Sequence, residues 1–153
     1  MSEFFEITVH GRPATQGSKT RNRWGGVRDD NAETLHPWRE AVRHTAVEVI
    51  AKARQEGIVV TPMDGPVVLE VAFALPKPKS APKRRRTWPI GARAGDLDKL
   101  VRAICDALTD AGVWGDDSQV AVLTSSKAYE GDPGVPDVPG AFIRVHKLAE
   151  AVA

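Results

Sequence analysis

Two acidic pairs bracket one apolar-striped run in this chain. The run is GDLDKLVRAICDALTDAGVWGDD, residues 95–117, with Asp96 and Asp98 at its start and Asp116 and Asp117 at its end. In an extended segment, residues two apart point to the same side, so Asp96 and Asp98 can act together. If these carboxylates meet a third, their mutual repulsion calls for a hard divalent cation with oxygen ligands. Mg²⁺ held by a few carboxylates and a substrate phosphate suits phosphodiester hydrolysis. The spacing also admits a plainer reading. Asp96 and Asp98 can serve a helix N-terminus electrostatically, and Asp116 and Asp117 can make a turn.

The element between the pairs is the clearest in the sequence. Leu100, Ile104, Leu108 and Ala111 form one helical stripe, flanked by Val101 and Cys105, and Arg102, Asp106 and Asp110 form the opposite one. Asp98 suits the N-cap and Gly112 the C′ position. Arg102 lies on the face of Asp98 and can pair with Asp106 or clamp a phosphate, but its guanidinium cannot serve as a base near neutral pH. A parallel crossover starts its second strand at the end opposite the first strand's exit. Simple crossover geometry therefore does not carry Asp117 to Asp96. A displaced strand, a partner chain or a bent arm would be needed.

The remaining elements frame that helix. Residues 3–10 alternate as a strand, 11–31 read as a polar loop, and a helix is expected from Pro37 to about Gly57. Residues 66–75 alternate as a second strand. Pro76, Pro78, Pro82 and Pro89 then break the chain into an extended basic arm, 76–95. Residues 119–129 and 141–147 read as strands, joined by a Pro/Gly-rich loop at 130–140 that is expected to be flexible. The order β-α-β-α-β-β predicts an α+β (mixed α/β) fold: one compact domain over residues 1–153, with a small mixed sheet and two main helices.

At 153 residues, 42% hydrophobic and 27% charged, the composition is that of a globular domain. No apolar run approaches the roughly 18–20 residues of a membrane span. The opening MSEFFEITVHG has neither the basic region nor the apolar core of a secretory signal. One cysteine, Cys105, permits no intrachain disulfide and is expected to be a buried small hydrophobe. The cytoplasm is the expected location. Net charge is +1, yet the signs are segregated. Lys77, Lys79, Lys83, Arg84, Arg85 and Arg86 fall in one short span, and Arg12, Lys19, Arg21, Arg23 and Arg28 in another, while carboxylates gather after residue 95. That division suggests a polyanion partner beside a cation site. Trp88 is expected to pack beneath the arm, the alternative being stacking on exposed bases. His10, His36, His44 and His146 show no metal-ligand spacing. The chain also lacks a Gly-rich phosphate loop after a strand, which argues against a nucleotide cofactor.

DLDKLVRAICDALTDAGVWGDDSQV, with Lys127 downstream, resembles the signature of RusA-type Holliday junction resolvases. That signature is an Asp-x-Asp-Asn pair, a basic residue four positions later, Asp-Ala-Leu, Asp-Asp-x-Gln and a lysine. ITVHGRPATQGSK and PWREAV are similar to the opening of phage-encoded members, so the resemblance spans roughly residues 4–147. It implies a homodimeric, Mg²⁺-dependent endonuclease, with Mn²⁺ as a substitute, that makes paired nicks at four-way DNA junctions. It would act in the host cytoplasm if phage-encoded. Carried over, Asp96, Asp98 and Asp117 would be catalytic metal ligands. Arg102 would be catalytic, Asp106 and Asp116 would support the ligands, and Lys19 and Lys127 would join Arg21, Arg23, Lys83, Arg84, Arg85 and Arg86 on DNA. The chain departs from the pattern twice, with Lys99 where the family has asparagine and Arg102 where it has lysine. Two other readings compete: a branched-DNA-binding protein that does not cut, and a nuclease that prefers flaps or forks.

Overall fold

Phe5, Ile7 and Val9 alternate with Glu6, Thr8 and His10, and a period of two puts the apolar three on one face. They belong to strand β1 (Phe4–His10). The computed structural model describes residues 4–17, 19–21, 24, 27–29 and 32–149, with the backbone alone for 19–21 and 27–29. After β1 come β2 (Lys19–Arg21), β3 (Val27–Asp29), α1 (Ala32–Gln55), β4 (Val67–Leu75), α2 (Leu97–Ala111), β5 (Val120–Tyr129) and β6 (Gly140–Lys147). The main elements follow the expected β-α-β-α-β-β order in one compact mixed α+β domain.

The principal sheet has the order β1-β6-β4-β5. Strand β6 runs antiparallel to both β1 and β4, while β4 and β5 run parallel. Register aligns residues in rows across the sheet. Val9, Ala141 and Phe73 make one row that ends at Lys127, and Ile7, Ile143 and Val71 make another that ends at Ser125. These rows are apolar and buried until they reach β5, where the face turns polar. Both helices pack on this face. Helix α1 presents Leu35, Trp38, Val42, Ala46 and Ile50, and α2 presents Leu100, Ala103, Ile104, Ala107 and Leu108. Full burial of Leu100, Ile104 and Leu108 contributes about 1.5–3 kcal/mol each relative to exposure.

Three local expectations are corrected. Residues 11–31 are not simply a loop, since β2 and β3 form a two-stranded antiparallel sheet there. Helix α1 starts at Ala32, so Pro37 lies inside it rather than in its first turn. The N-cap of α2 is Asp96, and Asp98 lies in the first turn. The expected stop at Gly112 holds: its φ of 81° is left-handed, and its N–H closes the helix on Leu108 and Thr109 carbonyls.

Candidate metal and nucleic-acid site

The arm returns to the sheet just before α2. Ala92–Ala94 make a 3-10 turn, and Gly95 follows with φ 82° and ψ 158°. That conformation suits glycine, and a Cβ there would stand 2.4 Å from Thr15 Cγ2. Lys127 Nζ donates to the Gly95 carbonyl at 2.7 Å. Lys127, expected on DNA, therefore ties the arm's end to β5. Asp96 caps α2 through its backbone carbonyl, which accepts from Leu100 N at 3.0 Å. Its carboxylate makes no capping hydrogen bond. It is exposed and lies 3.7 Å from Lys99 Nζ. Asp98 is exposed in the first turn, where the helix dipole favours a negative charge.

Lys99, Arg102 and Asp106 follow on one side of α2 at helical spacing. The loop after β1 lies across them. Gln16 N donates to the Lys99 carbonyl at 3.0 Å. Gln16 Nε2 donates to Asp106 Oδ2. A Cβ on Gly17 would meet Arg102 Nη1 at 2.5 Å, so this loop and Arg102 are in close approach. Asp106 is thus oriented by Gln16 across ninety residues of sequence.

At the other end, Trp114 is buried and its Nε1 donates to Thr109 Oγ1 at 2.7 Å. Met63 N donates to the Val113 carbonyl at 2.9 Å, fixing the turn beside the entry to β4. Asp116 then caps a 3-10 turn, Asp117–Gln119, in a reciprocal capping box. Its Oδ1 accepts from Ser118 N at 2.8 Å. Gln119 Oε1 accepts from Gly115 N and Asp116 N, both at 3.0 Å, and its Nε2 donates to the Met63 and Gly65 carbonyls, both at 2.9 Å. The hydrogen bonds from Ser118 hold the Asp116 carboxyl below its ordinary range.

Asp117 differs. Asp117 is exposed, and slight desolvation of its carboxyl, then the negative charge of Asp116 and more weakly that of Asp106, push its pKa above the ordinary 3.8. Burial, with Asp117 and Asp106 adding to it, pushes the Cys105 thiol up to about 12. Asp117 therefore lies within electrostatic reach of Cys105 and Asp106 on α2. Asp106 lies eight residues beyond Asp98, roughly 12 Å of helical rise. Among the described residues no group of three His, Cys, Asp or Glu side chains is placed to hold one metal ion. The donors are carboxylate oxygens, which suit a hard divalent cation in chemistry, though they are not gathered at one point.

The basic arm carries Lys83, Arg84 and Arg85 exposed. Arg86 is committed elsewhere: its guanidinium lies 3.9 Å from the centroid of the Trp88 ring, and its Nε lies 3.5 Å from Asp132 Oδ2. Trp88 is 51% exposed, so it does not pack beneath the arm as expected. The 130–140 loop is tied to the arm and to β4, with Lys77 N donating to Glu130 Oε2 at 3.0 Å and Glu130 N to the Leu75 carbonyl at 2.9 Å. Arg23 and the side chains of Lys19 and Arg21 lie outside the described residues.

A family model described as endodeoxyribonuclease RusA matches residues 11–136 of the chain. The chain belongs to the RusA endodeoxyribonuclease family. Membership makes it a nuclease of the class that resolves Holliday junctions, acting on branched DNA. No curated protein matches the chain by sequence. Among the described residues no helix is long and apolar enough to cross a membrane.

Proposed function

We propose that this chain is a Mg²⁺-dependent resolvase that cuts four-way DNA junctions by paired nicks as a homodimer, one site per opposed strand. Asp96, Asp98 and Asp117 would be drawn together to hold the cation, with Asp106 and Asp116 supporting them. The observation that carries the reading is the family match over residues 11–136, a span that takes in every proposed ligand. When bound, the ion would polarise the scissile phosphate and ready a water for attack. Arg102 would neutralise charge on the phosphate without moving a proton. Lys127 would fix the arm's end, and with it the direction of Asp96, through the Gly95 carbonyl. Lys83, Arg84 and Arg85 would follow phosphates outside the reacting centre. The expected location is the cytoplasm.

The separation of the acidic groups, together with the Lys99–Asp96 pair, favours one competing reading: a protein that holds branched DNA without cutting it. One assay separates the two. A labelled four-way junction is incubated with the protein, with and without Mg²⁺ or Mn²⁺. Symmetrical paired nicks support the resolvase, and binding without nicks in either metal rejects it. Asp98→Asn is expected to lower cleavage roughly a hundredfold or more. Junction binding should persist, because the basic surface is untouched.

A further inference from the structure

We propose that a cavity beneath the basic arm receives an unstacked nucleobase of the junction strand and so gives cleavage a sequence preference. The proposal rests on the resolvase reading. The cavity, about 380 Å³, is floored by Leu75 and Tyr129, which pair across β4 and β5. Pro76 and Pro89 wall it, and Arg12 and Arg93 stand at its rim. Its lining holds two guanidiniums and no carboxylate.

Each part points to the same ligand. Prolines offer flat apolar walls without N–H donors, so they favour a planar, largely apolar group over a polar chain. Tyr129 offers an aromatic face on which any base can stack. The two arginines suit the phosphates on either side of that base. The volume lies within the range of small-molecule pockets.

Position ties the cavity to the chemistry. Ala92 and Ala94 line it, and the chain runs from them through Gly95 to Asp96. Tyr129 and Lys127 lie two residues apart on one face of β5, about 7 Å. Lys127 holds Gly95. A base seated against Tyr129 is therefore registered to Asp96 through one rigid strand. A junction is suited to supply it, because bases at a branch point unstack at lower cost than those within a duplex.

The test places 5-iododeoxyuridine at each position around the branch point of a four-way junction. The complex with full-length protein is irradiated without divalent metal, and the crosslinked peptides are identified by mass spectrometry. A crosslink to Tyr129 from a base beside the scissile phosphate is expected. In Mg²⁺, Tyr129→Ala should flatten the ratio of best-cut to worst-cut sequence about tenfold, and Tyr129→Phe should retain it. Crosslinks that omit Tyr129, or a wild-type ratio in Tyr129→Ala, would overturn the pocket while leaving the resolvase intact. A wild-type protein that neither binds nor cuts junctions would overturn both. If Tyr129→Ala fails to fold, the crosslink on the wild-type protein decides.

Discussion

Asp117 is an exposed carboxylate whose pKa is raised, by slight desolvation first and then by the charges of Asp116 and Asp106. Its folded pKa is raised, so the folded state holds the proton more tightly than the unfolded chain. The resulting stability is fully present below the ordinary 3.8 and is lost as pH rises through the folded value. Near neutral pH the charged group therefore opposes folding. Asp117→Asn should raise the melting temperature without metal while losing cleavage. Added Mg²⁺ should stabilise the wild type more than the variant, and calorimetry with and without Mg²⁺ reads both effects. Lys99 acts in the opposite sense by partly neutralising Asp96. Lys99→Asn should lower the Mg²⁺ concentration for half-maximal cleavage about two- to fivefold, the size of a surface ion pair. An unchanged requirement would show that Asp96 does not carry the ion. The aspartates themselves were legible from type and spacing. Gln16 was not, because its value comes from Asp106, ninety positions away, and no local pattern joins them.

The 3-10 turn before β5 shows how an element can be both visible and overlooked. Asp116-Asp117-Ser118-Gln119 matches a capping box, with an acceptor at the first position and a glutamine three later. That pattern could have separated the roles of the two aspartates: Asp116 caps the turn, and Asp117 lies inside it. Gln119 also reaches two carbonyls ahead of β4, which a local rule does not foresee. Gln119→Ala should cost about 1–3 kcal/mol in urea unfolding, and cleavage should fall as the turn loosens. Stability within a few tenths of the wild type would mean that water replaces the amide. Helix α2 was readable because its stripe, its left-handed Gly112 and its acidic first turn all agree. Strands β2 and β3 were not, since three residues each give too short a period to register.

On the scale of the molecule, charge and topology were unequally legible. Segregated basic residues announced a polyanion, and Lys83, Arg84 and Arg85 do stand exposed. Replacing those three with alanine should weaken junction binding and reduce the slope of log affinity against log salt by about 2–3. Arg86 belongs outside that set, because it stacks on Trp88 and faces Asp132. An unchanged slope would move the DNA path off the arm. The position of Asp117 could not be derived from element order, because it depends on how far β5 is slid along β4 and how α2 lies over both. A homodimer should appear as twice the 16.6 kDa chain mass in sedimentation at assay concentrations.

The order of strands in the sheet has a bearing on how the protein is made. Strand β1, near the start of the chain, has β6 as its neighbour, and β6 also covers the inner edge of β4. The last strand is thus an interior one, and β1 cannot join the sheet before it arrives. A growing chain emerges from its N-terminal side, so the completed sheet must wait for β6. Pairing β4 with β5 across the whole arm and α2 is likewise a long-range, slow step. A chain that stops before β6 would carry the aspartates on a sheet in which β1 and β4 lack the neighbour they share.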